Sequence, residues 1–152
     1  MRQWVISVPK RLRGILADRP QAVTALSRIF LEEIERLLCH AADVPTDRDA
    51  AGQARPRLGA VSFQHRFGSA LNQHVHLHAC VTDGVFKQRA AGGGVTFHAA
   101  RPLTASDLAA VSQRVRLRLV RWFRRKGFLS REAAADMLIW QHSGFSVDAS
   151  VR

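Results

Sequence analysis

The feature that most constrains this fold is a run of alternating residues, "HVHLHACV", at positions 74–81. Successive side chains of a β-strand point to opposite faces of a sheet. A strand here would separate an apolar set from a set of imidazoles: Val75, Leu77, Ala79 and Val81 on one face, and His74, His76 and His78 on the other. The run therefore predicts a half-buried strand that packs on helices and carries histidine on its open face.

The remaining periodicity predicts a mixture of strands and helices. We expect further strands at 3–9, 58–65, 85–87 and 95–99, and amphipathic helices at 21–40, 104–126 and 131–141. An exposed loop is expected at 43–57, and turns at 66–73, 82–84 and 90–94. Thr104 and Asp107 have the spacing of a capping box at a helix start. The order predicts an α+β fold, with an antiparallel sheet and helices on one face, in a single domain over residues 1–152.

The charge of the chain favours a polyanionic partner. Lys and Arg number 23 against 12 Asp and Glu, for a formal net charge of +11, and most of the cations are Arg. Arg binds phosphate with two parallel hydrogen bonds, so DNA is the expected partner. An Arg-rich genome would explain Arg in place of Lys, but not the excess of cations over acids.

Part of this charge forms a stripe on the predicted helix 104–126. Its arginines recur at i, i+4, i+7 and i+11, namely Arg114, Arg118, Arg121 and Arg125. A neighbouring apolar stripe should pack on the sheet: Leu108, Val111, Val115, Leu119 and Trp122. The arginine stripe predicts phosphate contacts, although an ordinary solvated face would look the same. Arg66 and Lys87 flank the histidine strand and are further candidates for phosphate binding.

Other features bear on compartment and core. The chain has no apolar run of membrane-spanning length, and its N-terminal apolar residues precede Lys10, Arg11 and Arg13, the wrong order for a secretory signal. A cytoplasmic protein is predicted, in which Cys39 and Cys80 are reduced core residues. The tryptophans Trp4, Trp122 and Trp140 are expected in the core. Phenylalanines are more often core than base-stacking residues, and no role is assigned to Phe63, Phe67, Phe86 and Phe97.

The histidine strand suggests a metal site. Two imidazoles at i and i+2, as in His76 and His78, can approach one ion, but further nitrogen or oxygen ligands are needed. His65 could be brought opposite them by a hairpin, and Asp83 follows the strand closely. The residues themselves do not decide between these two, and an exposed strand that happens to carry histidine is the alternative.

Four segments together resemble the transposase family of rolling-circle insertion sequences: "RQWVISVP", "FQHRFGSALNQHVHLHACVTDGVF", "GGGVTFHAA" and "FSVDASVR". The resemblance runs from Arg2 to the last residue. It implies an HUH (His–hydrophobic–His) single-strand nuclease with a ferredoxin-like or RRM-like palm. By the resemblance, His76 and His78 hold Mg²⁺ or Mn²⁺, while His74 supports these ligands without binding the metal itself. A tyrosine would attack the scissile phosphate of single-stranded DNA at the element ends, in the bacterial nucleoid.

The chain departs from this family in one respect, because it contains no tyrosine. In the family the tyrosine segment follows the stretch that matches "FSVDASVR", and a Cys-rich zinc region precedes the stretch that matches "RQWVISVP". We therefore expect a palm truncated at both ends and inactive alone. The alternatives are a non-catalytic module that binds single-stranded DNA and, less well supported, a metal-binding protein unrelated to DNA.

Overall fold

A computed structural model describes residues 1–46, 54–67, 73–90, 92–140 and 143–152, without the side chains of 65–67 and 73–75. Its elements follow in chain order: β1 (Arg2–Ser7), α1 (Lys10–Asp18), α2 (Pro20–Ala41), β2 (Ala60–Phe67), β3 (Gln73–Val81), β4 (Gly84–Gln88), β5 (Val95–Ala99), α3 (Ala105–Arg125), α4 (Arg131–Ile139) and β6 (Ser146–Val151). The predicted α+β class is confirmed.

Four strands form the main sheet, in the order β2-β3-β1-β6, and every neighbouring pair is antiparallel. Helices connect β1 to β2 and lead into β6, which gives the βαββαβ connectivity of a split βαβ, or ferredoxin-like, sheet. The β4–β5 hairpin forms a separate two-stranded sheet. The strands β1 and β3 are therefore central, whereas β2 and β6 lie at the edges.

The core lies between one face of this sheet and the helices. Its strand residues are fully or almost fully buried: Trp4, Ile6, Leu77, Ala79 and Val81. They join one cluster with side chains of α2 and α3, among them Phe30 and Leu119. The predicted inward set of β3 is confirmed wherever its side chains are described. None of the described helices is long and apolar enough to cross a membrane.

The predicted helix 104–126 is confirmed as α3. The Thr104 side chain accepts a hydrogen bond from the Asp107 backbone, and the Asp107 carboxylate accepts one from the Thr104 backbone, so the capping box is complete. Hydrogen bonds from the Arg101 guanidinium hold the pKa of Asp107 well below its usual range. Gly127 follows the helix with φ +73°, a conformation that glycine adopts readily.

Two elements were not predicted. The first, α1, is a helix of nine residues that buries only Leu12 and Leu16. Two buried positions one turn apart are too few to show a helical period in the sequence. The second, β6, is short and recognisable only by its pairing with β1. The loop predicted at 43–57 falls partly on residues 47–53, and the turns at 66–73 and 90–94 partly on 68–72 and 91. These lie outside the described residues, as does position 141 of the last predicted helix.

The expectation that Trp140 lies in the core was wrong, and two phenylalanines are also exposed. Phe63 is 42% exposed, Phe97 47% and Trp140 43%. Trp140 follows the last turn of α4, beyond the buried Met137, and the Arg11 guanidinium lies 5.9 Å from its ring centroid. Trp4 is buried as expected.

The two cysteines carry free thiols, as predicted. Cys39 is buried, and its burial raises the pKa of the thiol. Cys80 is only half-buried, because it lies on the open face of β3 rather than among the core residues.

A buried ion pair joins α2 to α3. Glu33 is 0% exposed, and its Oε1 accepts a 2.7 Å hydrogen bond from Nη1 of Arg118. The other terminal nitrogen of Arg118 donates to Glu32. A buried carboxylate is stable in its charged form only when it is paired, so Arg118 is required by the helix pair itself.

We therefore expect Arg118→Met to destabilise the protein by about 3 kcal/mol, because it leaves the buried Glu33 carboxylate with only the more distant Arg36, whose Nε lies 4.0 Å from Oε2. Arg114→Met is the matched control on the same helix, where the side chain is exposed, and should change stability by less than about 0.5 kcal/mol. Urea unfolding of both variants measures the difference. Equal stabilities would show that the pair does not hold the helices together.

Candidate functional site

The described site centres on His76 and His78 of β3, on the sheet face that the helices leave open. Both side chains are half-buried. In the register with β1, His78 lies opposite Val5 and His76 opposite Ser7. In the register with β2, His78 lies opposite Phe63 and His76 opposite His65. The two imidazoles therefore stand in the middle of the sheet, flanked by strands on both sides.

The imidazole rings of His76 and His78 are neighbours. Their centroids are 5.0 Å apart and their planes are inclined by 53°. This separation allows one nitrogen of each ring to approach a common ion. The alternation of β3 is sufficient to create the pair, because residues i and i+2 of a strand point to the same side.

Gln3 of β1 contacts His78 directly. Its side-chain nitrogen Nε2 lies 2.7 Å from Nδ1 of the imidazole, at the partly buried centre of the sheet. The amide can donate to Nδ1 through nitrogen or accept from it through oxygen, so its orientation is linked to the position of the ring proton. Gln3 was not predicted as a site residue. Its position in β1 points to the site only once β1 is known to pair with β3.

Phe63 of β2 stacks on the other side of His78. The two ring centroids are 5.4 Å apart and the planes differ by 13°. This residue could have been found from the sequence. Phe63 precedes His65 by two positions, and His65 was expected opposite the histidine strand, so both belong to the same face of β2.

The other predicted ligands are placed differently. The backbone of His65 pairs with that of His76, one of the two placements expected from the hairpin. The side chains of His65, His74 and Arg66 lie outside the described part of the chain. Among described residues, no group of three or more His, Cys, Asp or Glu is arranged to hold a metal ion.

Asp83 is not brought together with the histidine pair. It lies beyond the end of β3, which continues about 10 Å past His78. Its carboxylate accepts hydrogen bonds from the Met1 amine at 3.0 Å and from Nε of Arg2 at 3.2 Å. Partial burial acts to raise the pKa of Asp83, but these two cations outweigh it and lower that pKa. The carboxylate therefore binds residues at the N-terminal end of β1 and not the histidine pair.

The predicted phosphate-binding cations of α3 do not lie around the histidine pair. Arg114, Arg121 and Arg125 are exposed on α3, in the helix layer on the opposite side of the sheet, and Arg118 is engaged by Glu32 and Glu33. Two adjoining grooves beside Arg121 and Arg125 collect further side chains: Arg28, Trp122, Arg124 and Lys126. Lys87 lies on β4 of the separate hairpin, where its backbone pairs with that of Thr96.

Comparison with known families identifies the chain. A family model described as "Putative transposase" matches residues 59–152, more than half of the sequence. The chain belongs to this transposase family. The matched region of the transposase begins just before β2 and includes the histidine pair, α3 and β6. No curated protein and no solved structure matches the chain. Membership assigns the protein to transposition, a process that acts on DNA.

We expect substitutions of Gln3 to change the proton position on His78. Gln3→Glu should place the proton on Nδ1, because a carboxylate can only accept a hydrogen bond. Gln3→Met removes the hydrogen bond at similar volume and should give a mixture of the two neutral tautomers. Nitrogen NMR of isotopically labelled histidine reports both states.

Gln88→Met, at the exposed end of β4, is the matched control and should leave the His78 signals unchanged. If the His78 signals are also unchanged in both Gln3 variants, Gln3 does not govern the tautomer.

Proposed function

We propose that this transposase-family chain is the palm of an HUH-type single-strand nuclease, in which His76 and His78 hold a divalent cation. The observation that carries the proposal is the pair of imidazoles, 5.0 Å apart, on the open face of a ferredoxin-like sheet. An open sheet face can admit a DNA strand to the pair, whereas the opposite face is filled by helices. The proposed substrate is single-stranded DNA at the ends of a mobile element.

The donor set supports a cation with water ligands. Two imidazoles leave several coordination positions of Mg²⁺ or Mn²⁺ to water and phosphate oxygen, which both ions accept. Of the two further ligands that the sequence suggested, His65 is the one whose backbone pairs with that of His76. Asp83 is a poorer candidate, since its carboxylate is engaged by Arg2. A bound cation would polarise the scissile phosphate and offset its negative charge.

Gln3 supports this role of His78. The Gln3 amide is placed with its nitrogen 2.7 Å from Nδ1 of His78. With the amide reversed, its oxygen would accept a hydrogen bond from Nδ1–H, and the ring would then direct the lone pair of Nε2 towards an ion and be held in a fixed orientation. Histidine ligands in metalloproteins are commonly oriented through their second nitrogen in this way. Phe63 packs against the ring plane and restricts its rotation further.

The covalent step needs a nucleophile that these 152 residues do not provide as tyrosine. We therefore propose that the chain binds and positions DNA, and that strand joining requires a tyrosine from outside these residues. The same observation favours the second candidate function, a module that binds single-stranded DNA without catalysis. Cation-dependent hydrolysis of a single strand by the isolated chain would distinguish the two.

Binding of Mn²⁺ provides the direct test. We expect one Mn²⁺ to bind per chain, and the double substitution His76→Ala/His78→Ala to weaken binding more than about 100-fold, since both ring donors are lost. His98→Ala, on the separate β4–β5 hairpin, is the matched control and should bind like the parent protein. Titration calorimetry and Mn²⁺ electron paramagnetic resonance measure the affinity.

Any hydrolysis of single-stranded DNA should disappear in the same double variant. Mn²⁺ binding or cleavage that survives the loss of both histidines would exclude the HUH assignment.

We further propose that the exposed cations of α3 bind a different segment of the DNA from the one at the histidines. The sheet separates the two surfaces, so one short strand cannot touch both. Arg121 and Arg125 are exposed and neighbour Arg124 and Lys126, which gives a continuous cationic surface. Arg28 lies beside this surface but is paired with Glu32 at 3.6 Å. Arg118 is left out, because a phosphate would have to compete with Glu32 and Glu33 for it.

Arg121→Ala/Arg125→Ala should weaken binding to long DNA and reduce the slope of log affinity against log salt by about 1.5, since each lost phosphate contact removes one counterion-release contribution. Fluorescence anisotropy at several salt concentrations measures this slope. Arg89→Ala, an exposed cation of the β4–β5 hairpin, controls for net charge. If Arg89→Ala lowers the affinity and the salt slope as much per removed cation as the double variant does, the arginines of α3 have no specific role.

A further inference from the structure

Two apolar side chains of β2 are exposed on the open face of the sheet. Phe63 is 42% exposed and Val61 is 67% exposed, although residues of both types are usually buried. The registers place them opposite His78 and Cys80, so they continue the surface that carries the histidine pair. Because β2 is an edge strand, no further strand of the described chain covers this side of the sheet.

The Phe63 ring is held in a defined orientation. It lies nearly parallel to the His78 imidazole, at 13°, with ring centroids 5.4 Å apart. Directly opposite residues of an antiparallel pair contact each other in this way, and the contact fixes the ring relative to the strand. The result is a flat, partly exposed aromatic surface immediately beside a histidine of the proposed cation site.

We infer that Phe63 is a stacking site for a nucleobase of single-stranded DNA, next to the phosphate that lies at His76 and His78. This inference rests on the proposed function for the identity of the strand. An unpaired base offers a flat face of matching size, and stacking on exposed aromatic residues of a sheet is a general way of binding single strands. Because every base has such a face, the site would tolerate different bases.

The alternative occupant of the patch is a second copy of this chain. Two copies of formal charge +11 repel each other, and among the described residues the patch is bordered by the imidazole of His78. A nucleic-acid strand carries the opposite charge, and its bases supply a flat aromatic ring that can stack on Phe63. The chemistry of the surface therefore favours the base.

The test uses a short oligo-dT strand with one fluorescent adenine analogue, with a chelator present so that binding does not depend on a cation. Phe63→Leu should reduce affinity about 5- to 150-fold and abolish the quenching of the analogue, with the salt dependence unchanged. Phe63→Trp should retain both affinity and quenching, because it preserves the aromatic face. Phe97→Leu, at a phenylalanine of similar exposure on β5, is the matched control and should bind like the parent protein.

Three results would overturn the inference: unchanged affinity in Phe63→Leu, an equal loss in Phe97→Leu, or a parent dimer that dissociates when Phe63 is replaced, which would make the patch a protein interface. Sedimentation velocity detects the last of these. The proposed cation site fails separately, through Mn²⁺ binding that survives loss of both histidines. Circular dichroism of Phe63→Leu and Phe63→Trp confirms that both variants are folded.

Discussion

The antiparallel pairing of β1 with β3 is the contact on which the rest of the structure depends. It runs from Arg2 opposite Val81 to Ser7 opposite His76 and places both strands at the centre of the sheet. On one side it aligns Trp4 and Ile6 with the inward residues of β3, forming the surface that the helices cover. On the other side it brings Gln3 against His78. A shift of one residue would move both sets to the wrong faces, so core and site depend on the same register.

The two layers of the molecule have different chemistry. The open face of the sheet carries imidazoles, an amide and the exposed side chains of Phe63 and Val61, whereas the outer surface of the helices carries most of the arginine stripe. The buried pair of Glu33 and Arg118 lies between α2 and α3 and uses one cation of that stripe for folding. A spacing of i, i+4, i+7 and i+11 describes a helix face, but it does not distinguish a cation that binds a ligand from one that neutralises a neighbouring helix.

The long elements and the orientation of β3 were predictable because their signals are local. The helix that became α2 and the capping box of α3 were evident in short windows, and the alternation of β3 separates its core residues from its histidines without reference to other strands. The short elements α1 and β6 were missed because nine and six residues carry too few core contacts to establish a period. Residue type alone favoured the core for Phe63, which ignores that an edge strand has an uncovered face.

The sequence by itself determined the α+β class, the pairing of His76 with His78 on one side of a strand, the excess of positive charge and the absence of tyrosine. Each follows from composition or from a period of a few residues. The tertiary structure alone decided that Gln3 contacts His78. It also decided that Asp83 binds Arg2 and not the histidines, and that Arg118 pairs with Glu33. The physical reason is distance along the chain: these contacts join residues about 75 to 85 positions apart, where strand order and helix packing, rather than local periodicity, determine which side chains meet.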